Sequence, residues 1–446
     1  MYLEITRLRI TFLNAIVLPT LALLFGCAGT HTADLARLQS STAPLTVVPS
    51  FDLLSKGDGL PHRGQWRSQM AITDINGDGM QDLVLPAARK GGSRPQMFLG
   101  QFDGSWAEWK DASLPNRRYD YGGVAVLNTG VDGDEQRHVV YGMHLKGLAA
   151  ITQTSPGKFN DASAGLNNYV DGSPSVAGSQ ALLALPRPAA IGGSQLFVAY
   201  EAVQNGGVGA SVWIFSKSGW QRHDVPGAPS GSHPGIGARD KVFYLGRGGV
   251  TEVDASREKP SARLAGSLPQ GTFAHALAVL PNPKGNATNA YIATSRYIDD
   301  SWSRRVERFS NLAGTGDAPI VPDTVIAERQ GSNYFSALAV TQARPWGLPG
   351  EILAVGDDHG IIDLYHVDAT GRSLKLGQWP AAEWRRGCTV SQLEWAKLNP
   401  GEPPQLAAMF SGEPSVYDIG RGCLEGGGLD VFALTTLAPT TKNISQ

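Results

Sequence analysis

The segment Asp74-Ile75-Asn76-Gly77-Asp78-Gly79-Met80-Gln81-Asp82 constrains this chain more than any other. Oxygen-bearing side chains stand at its first, third, fifth and ninth positions, and a glycine follows the third of them, where a short loop has to turn sharply. Such spacing lets a loop wrap a hard cation, since calcium takes about six to eight oxygens at roughly 2.3–2.6 Å. Asp74, Asn76, Asp78 and Asp82 would give side-chain oxygens and Met80 its carbonyl. Crowded at alternate positions, these groups repel one another unless a cation lies among them. The other reading is an Asx turn without metal, because Asp, Asn and Gly are also turn residues. Magnesium, which demands a tighter octahedron, fits less well than calcium. A helix–loop–helix site would continue to a bidentate glutamate at the twelfth position. That position is Leu85, inside the apolar run Leu83-Val84-Leu85, so the loop joins two strands, Met70–Thr73 and Leu83–Pro86.

The same unit recurs along the chain: a short apolar strand, a Gly/Pro/Asn/Asp loop, a second apolar strand and then a third. First strands are expected at Met70–Thr73, Val124–Leu127, Ala181–Leu185, Lys241–Leu245, Ala276–Leu280, Ala337–Thr341 and Val390–Trp395. Second strands follow at Asp82–Leu85, His138–Gly142, Gln195–Tyr200, Asn289–Thr294, Glu351–Val355 and Gln405–Met409. The spacing, roughly 40–60 residues, overlaps that of propeller repeats, and seven units fit the 446 residues. With 54 glycines and 28 prolines against only 17% charged residues, the composition supports many short strands and few long helices. Two internal matches fix the period. Met70-Ala71-Ile72-Thr73-Asp74 aligns with Val124-Ala125-Val126-Leu127-Asn128, and Trp109-Lys110-Asp111-Ala112-Ser113 with Phe159-Asn160-Asp161-Ala162-Ser163. One four-stranded blade cannot bury both of its faces, whereas a closed ring of blades buries all of them and protects the edges. The expected fold is therefore all-β, a seven-bladed β-propeller of four-stranded antiparallel blades. Leu45–Leu54 or Leu429–Leu434 would supply the closing strand.

These residues resemble the FG-GAP or VCBS repeat family, whose signature is an apolar strand, Asp-x-Asx-x-Asp-Gly-x-x-Asp and another apolar strand. Phe98-Leu99-Gly100-Gln101-Phe102-Asp103-Gly104-Ser105-Trp106 looks like the hairpin that follows it. The resemblance is specific over about Ser68–Trp109, weaker to about Gly165 and architectural beyond. It implies a propeller with calcium in loops between strands, and membership among adhesion proteins, carbohydrate-active proteins and other exported proteins.

The amino terminus reads as a targeting segment. Arg7 and Arg9 precede an apolar run, Ile10–Gly26, which ends in Leu24-Phe25-Gly26-Cys27. That ending resembles a bacterial lipoprotein cleavage box. The resemblance implies a signal peptide over 1–27, with Cys27 as the lipidated first residue carrying acyl chains such as palmitate. Ala28, where retained lipoproteins carry Asp, implies the outer membrane, facing the periplasm or the cell surface. An uncleaved membrane anchor is the alternative, since about 17 apolar residues is the lower limit for a span. Residues 28–49 read as a flexible tether, 50–438 as the propeller and 439–446 as a tail. Beyond Cys27 only Cys388 and Cys423 remain. In an oxidising compartment they are expected to form a disulfide, the alternative being two buried thiols.

Catalytic signatures are missing from the sequence: no Gly-x-Ser-x-Gly, no His-Glu-x-x-His, no P-loop and no dinucleotide fingerprint. The nine histidines are scattered, and His144, His223, His233 and His275 read as structural. A second loop keeps Asn128, Asp132, Asp134 and Gln136, but Gly130 removes a ligand position, and an ordinary loop is expected. Gly356-Asp357-Asp358-His359-Gly360 reads as a tight turn, and Asp299-Asp300 as a solvated pair on a strand. Two stretches mix aromatic and charged residues as recognition surfaces do: Arg296–Arg305, and Trp379, Trp384, Arg385 and Arg386 beside Cys388. Either is equally readable as packed hairpin chemistry. A net charge of −2 excludes a general nucleic-acid surface. The sequence thus points to a lipid-anchored, calcium-clipped propeller that binds a protein or glycan partner. The alternative is a carbohydrate-active lyase or hydrolase working in the central funnel.

Overall fold

Asp82–Leu85 is buried at every position, which a half-buried strand of alternating polarity would not be. The reason is the way its two faces are covered. Leu83 and Leu85 pack with Leu406-following residues Ala407 and Met409 and with Leu429 and Val431 on one side, while Val84 packs with Val124, Val139 and Tyr141 on the other. Each fully buried side chain of this kind contributes about 1.5–3 kcal/mol. The same two-sided burial holds for Glu351–Asp357 and Gln405–Ser411.

In the computed structural model these strands belong to seven four-stranded antiparallel sheets arranged as the blades of a propeller. Blade 1 comprises Ala71–Thr73, Asp82–Leu85, Gln96–Gly100 and Trp106–Glu108; blade 2 Val124–Asn128, Arg137–Met143, Gly147–Ser155 and Lys158–Asp161. Blade 3 comprises Ala181–Pro186, Ser194–Ala199, Ala210–Ser216 and Gly219–Asp224; blade 4 Gly231–Ile236, Val242–Gly246, Gly249–Asp254 and Ser261–Ser267. Blade 5 comprises Thr272–Pro281, Thr288–Ile298, Ser301–Phe309 and Thr324–Gln330; blade 6 Phe335–Gln342, Glu351–Asp357, Ile362–Val367 and Ser373–Trp379. Blade 7 takes Thr389–Ala396, Gln405–Ser411 and Gly427–Thr436 from one end of the chain and Phe51–Ser55 from the other. The structure describes residues 51–66, 68–89, 94–129, 136–144, 147–166, 176–177, 181–186, 194–200, 202–203, 208–238, 241–256, 259–281, 288–312, 318–380, 385, 387–412, 423 and 427–436. The targeting segment with Cys27, the tether and the tail lie outside them, as do Asp132 and Asp134 of the second loop, Trp384 and Arg386.

Closure uses both chain ends. Phe51–Ser55 pairs antiparallel with Gly427–Thr436, from Phe51 opposite Thr436 to Ser55 opposite Phe432. The Cys388–Cys423 disulfide is formed, with Cα atoms 4.4 Å apart, at the entry to the inner strand of this blade. Next to it Arg385 is fully buried. Its guanidinium meets Asp430 at 3.2 Å, donates to the Leu429 carbonyl at 2.6 Å and lies 4.1 Å over the Phe410 ring. Asp430 accepts from Ser55 Oγ at 2.9 Å, so the ion pair ties the amino-terminal strand to the carboxyl-terminal one. Trp379 packs on Phe410 and Phe432. Arg385 and Trp379 thus help to close the ring, and Trp379, half-buried, also lines a surface pocket with Lys56, Asp58 and Asp103.

The unit starting at Lys241 needs one correction. Val242–Gly246 is the second strand of blade 4, and the inner strand is Gly231–Ile236. Its sequence, Gly-Ser-His-Pro-Gly-Ile, lacks the apolar alternation of a strand because it lies against the channel and breaks register between Ser232 and Gly235. A Cβ at Gly235 would stand 2.9 Å from the Val279 Cβ, so only glycine lets this strand approach blade 5 so closely.

Candidate functional sites

Three places combine built geometry with chemistry: the Asp74–Asp82 loop, the central channel and the long hairpin of blade 5. The loop joins the first two strands of blade 1. Its turns use positive φ at Gly77 (84°) and Gly79 (90°), which glycine adopts without strain. Asp74 Oδ1 accepts from the Gly77 and Asp78 amides at 2.6 and 3.1 Å, and Oδ2 from Gly79 at 2.9 Å. Asn76 Nδ2 donates to Asp78 Oδ2 at 2.8 Å, and the Asp78 amide to Asn76 Oδ1 at 3.0 Å. Met80 donates its amide to Asp78 Oδ1 at 2.8 Å and buries its side chain.

Asp82 lies beneath, fully buried. One oxygen accepts from the Ile75 and Asn76 amides at 2.8 and 3.4 Å, the other from Gly100 at 3.0 Å. Burial raises its pKa to about 6, against the lowering effect of those three amides. The loop thus brings Asp74, Asn76 and Asp78 together at its tip and sets Asp82 under them. Its donor set suits a hard cation, and each carboxylate oxygen that accepts one amide keeps a lone pair. Among the described residues, however, no three or more acidic, His or Cys side chains stand as a ready metal cage. The carboxylates are turned onto backbone amides.

The channel is lined by the inner strands of blades 3 to 7 together with Ser68 and Gln69, and encloses about 510 Å³. Most of the wall is small or aliphatic. Inner strands of four consecutive blades carry register shifts: at Ser232/Gly235, Ala274/Ala276, Phe335/Ala337 and Val390/Gln392. Bulges of this kind re-aim side chains. His233, at φ 52°, and His275 sit in two of them. His233 Nδ1 meets Ser232 Oγ at 2.9 Å, and His275 Nε2 meets Ser295 Oγ at 2.6 Å. Burial pushes both imidazoles down to about 4, with the Arg304 charge a further cause at His275. In blade 7, Glu394 and Gln392 share one face of the inner strand. Burial raises the Glu394 carboxyl to about 7.

The blade 5 hairpin is built from strands of 11 and 9 residues, and its turn is Asp299-Asp300, both at positive φ (48° and 59°). These two aspartates are therefore the tip of a tight turn, not strand residues facing opposite ways. The hairpin presents Tyr297 and Ile298, with Phe273 beside it, as exposed apolar side chains. Trp302 packs edge-on against both Tyr297 and Phe273, with ring centroids 5.4 and 6.0 Å away. Arg304 lies 4.3 Å over the Trp302 ring and donates to the Gly331 and Ser332 carbonyls at 3.2 Å, which anchors the cluster from below.

Comparison with known proteins yields architecture only. No family model matches the chain, and no curated protein is similar in sequence. Among solved structures, BBS1N in complex with ARL6DN aligns over 88% of this chain and 99% of its own, at 11% identity and a TM-score of 0.49. The Drosophila Semaphorin 1a extracellular domains 1-2 align over 86% and 88%, at 12% identity and a TM-score of 0.45. Identities this low speak to the fold alone, and the fold rests on the strand pairing described above.

Sequence reasoning found the loop and the hairpin but missed Gln392 and Glu394. Their signal was available: an amide and a carboxylate two apart in a strand assigned to the inside of a ring, where an aliphatic pair would pack better. Asp357 and Asp358 also proved informative. The turn is tight as read, and Asp357 is fully buried because Arg329 of blade 5 reaches it at 2.8 Å. It is an inter-blade tie.

Proposed function

We propose that this chain is a lipid-anchored cell-envelope propeller that serves as a binding or scaffold module for a protein or glycan partner. The observation that carries this reading is the blade 5 hairpin: rigid aromatic side chains held outward by an Arg304 anchor, on a hairpin longer than its neighbours. Exposed clusters of Tyr, Trp and Phe give large contact area at little entropic cost and are frequent at recognition surfaces. The carbohydrate-active alternative is less well supported, since glycoside hydrolysis uses two carboxylates and the described channel lining holds one, Glu394. A double variant, Tyr297→Ser with Trp302→Ser, should weaken capture of envelope proteins or arrayed glycans at least 10-fold with the melting temperature little changed. Capture equal to that of the wild-type chain would overturn the reading.

The finer parts of the proposal follow from the sequence. The resemblance to FG-GAP and VCBS repeats supports a structural calcium ion at Asp74, Asn76, Asp78, Met80 and Asp82, which would replace amide bonds at the loop tip with metal contacts. Calcium should then raise the melting temperature relative to chelator, and Asp78→Ala should remove most of that difference. Identical melting curves would reject the ion. Lipidation at Cys27, with residence at the outer membrane, predicts that Cys27→Ser releases the protein from the membrane fraction. A variant that still sediments with membranes would count against it.

A further inference from the structure

Among the described residues, the lining of the central channel holds one ionisable acid, Glu394, in a largely small and aliphatic wall, and its surroundings say what it can hold. Gln392 fixes the arrangement. Its Oε1 accepts the Met70 amide at 2.6 Å, so its Nε2 faces Glu394 and donates to Oε2 at 3.2 Å. Among the described residues this is the sole hydrogen bond to the Glu394 carboxylate, and no cation contacts it. Its remaining oxygen is reached from the cavity. His233 is the other titratable side chain in the lining, and it is neutral above about pH 5 because burial lowers its pKa to about 4. Leu277, Val279, Leu338 and Val340 supply apolar wall. An unpaired carboxylate costs free energy in such a place, where glutamine or leucine would not.

We propose that the channel is a binding site for a small organic cation, an ammonium group on an aliphatic body, held by the Glu394 carboxylate and packed along the aliphatic wall. The volume lies within the range of small-molecule sites. The ammonium supplies the missing positive charge and donates to the free oxygen, while Gln392 keeps the carboxylate oriented. Anions meet the same carboxylate and are excluded. A divalent metal needs several hard oxygens, and the lining offers one carboxylate beside an amide whose oxygen is already bonded.

The test is calorimetric titration of the folded protein at pH 8 with hexylammonium chloride, sodium hexanoate, 1-hexanol and calcium chloride. Hexylammonium should bind at least 10-fold more tightly than hexanol, and hexanoate should not bind. Glu394→Gln should weaken hexylammonium at least 10-fold and leave hexanol unchanged. Lowering the pH to 5 protonates Glu394 while His233 stays neutral, so wild-type affinity should fall at least 10-fold and the variant's should not. Val279→Trp, which keeps the carboxylate and narrows the wall, should weaken hexylammonium more than methylammonium. Equal binding of hexanol and hexylammonium, retention of amine binding in Glu394→Gln, no binding of the amine to the wild-type chain, or displacement of the amine by calcium would each overturn the proposal.

Discussion

Blades 1 and 7 are neighbours that share one core, yet they secure their strands by opposite means. Blade 1 is clipped locally: Asp82 holds amides of Ile75, Asn76 and Gly100, all within one blade. Blade 7 joins strands from the two ends of the chain, and it is fastened by a disulfide, a buried ion pair, the pairing of those two strands and a side-chain hydrogen bond from Ser55 to Asp430, 375 residues away. Local clips order one loop, so they are open to tuning by an ion. A closing seam has to resist loss of the whole ring, because opening it frees two edges at once.

If that contrast is right, the largest loss should come from the seam. Arg385→Met removes the partner of Asp430 in a fully buried site. Breaking a buried pair from one side costs about 3–5 kcal/mol, as an unpaired carboxylate is left behind. Urea unfolding should show this fall, and Arg385→Met with Asp430→Leu should recover part of it. A loss below about 1 kcal/mol would place closure elsewhere. Next in size is Cys388→Ser with Cys423→Ser, at about 3–4 kcal/mol for a closed loop spanning 35 residues. Reducing agent should reproduce that loss in the wild-type chain and have no effect on the double variant.

The contrast also explains what could be read from the sequence. The Asp74–Asp82 loop was legible because its pattern is local, with every oxygen-bearing residue within nine positions. The outer strand of blade 7 was ambiguous because neither Leu45–Leu54 nor Leu429–Leu434 names its partner; in the fold both regions contribute, paired with each other. The inner strand of blade 4 was illegible for another reason. Gly231–Ile236 owes its composition to close approach and a bulge at the channel, so glycine, histidine and proline replace the β-branched residues that mark a strand. Arg385 stayed open between a recognition surface and packed chemistry because nothing in the neighbouring residues reveals Asp430, its buried partner.

For blade 1 the comparison predicts a smaller and separable effect. Asp82→Ala strands three amides and should cost about 2–3 kcal/mol in chelator, and more in calcium, where a ligand of the proposed ion is also lost. Asp78→Ala, at the exposed tip, should cost under about 1 kcal/mol in chelator. Denaturant titrations of both variants in calcium and in chelator separate the buried clip from the tip. Equal losses for the two would mean that the loop acts as one unit.

A pH-dependent effect lies where the two blades meet the channel. Gln392 of blade 7 takes the Met70 amide beside blade 1 and orients Glu394. Because burial raises the folded-state pKa of Glu394 to about 7, above its unfolded value of about 4.3, the native state holds a proton that the unfolded chain has lost between those values. Stability from this group is therefore greatest below about pH 4, declines as pH rises towards 7, and stays at its lower level beyond. Glu394→Gln cannot ionise, so it should match the wild-type chain near pH 4 and exceed it at pH 8 by up to about 2 kcal/mol, the channel wetting one side of the carboxylate. Paired melts across that range would show the two curves diverging upward from pH 4. Parallel curves would mean that Glu394 is as well solvated as a surface acid, and the seam between the blades would then be open to water.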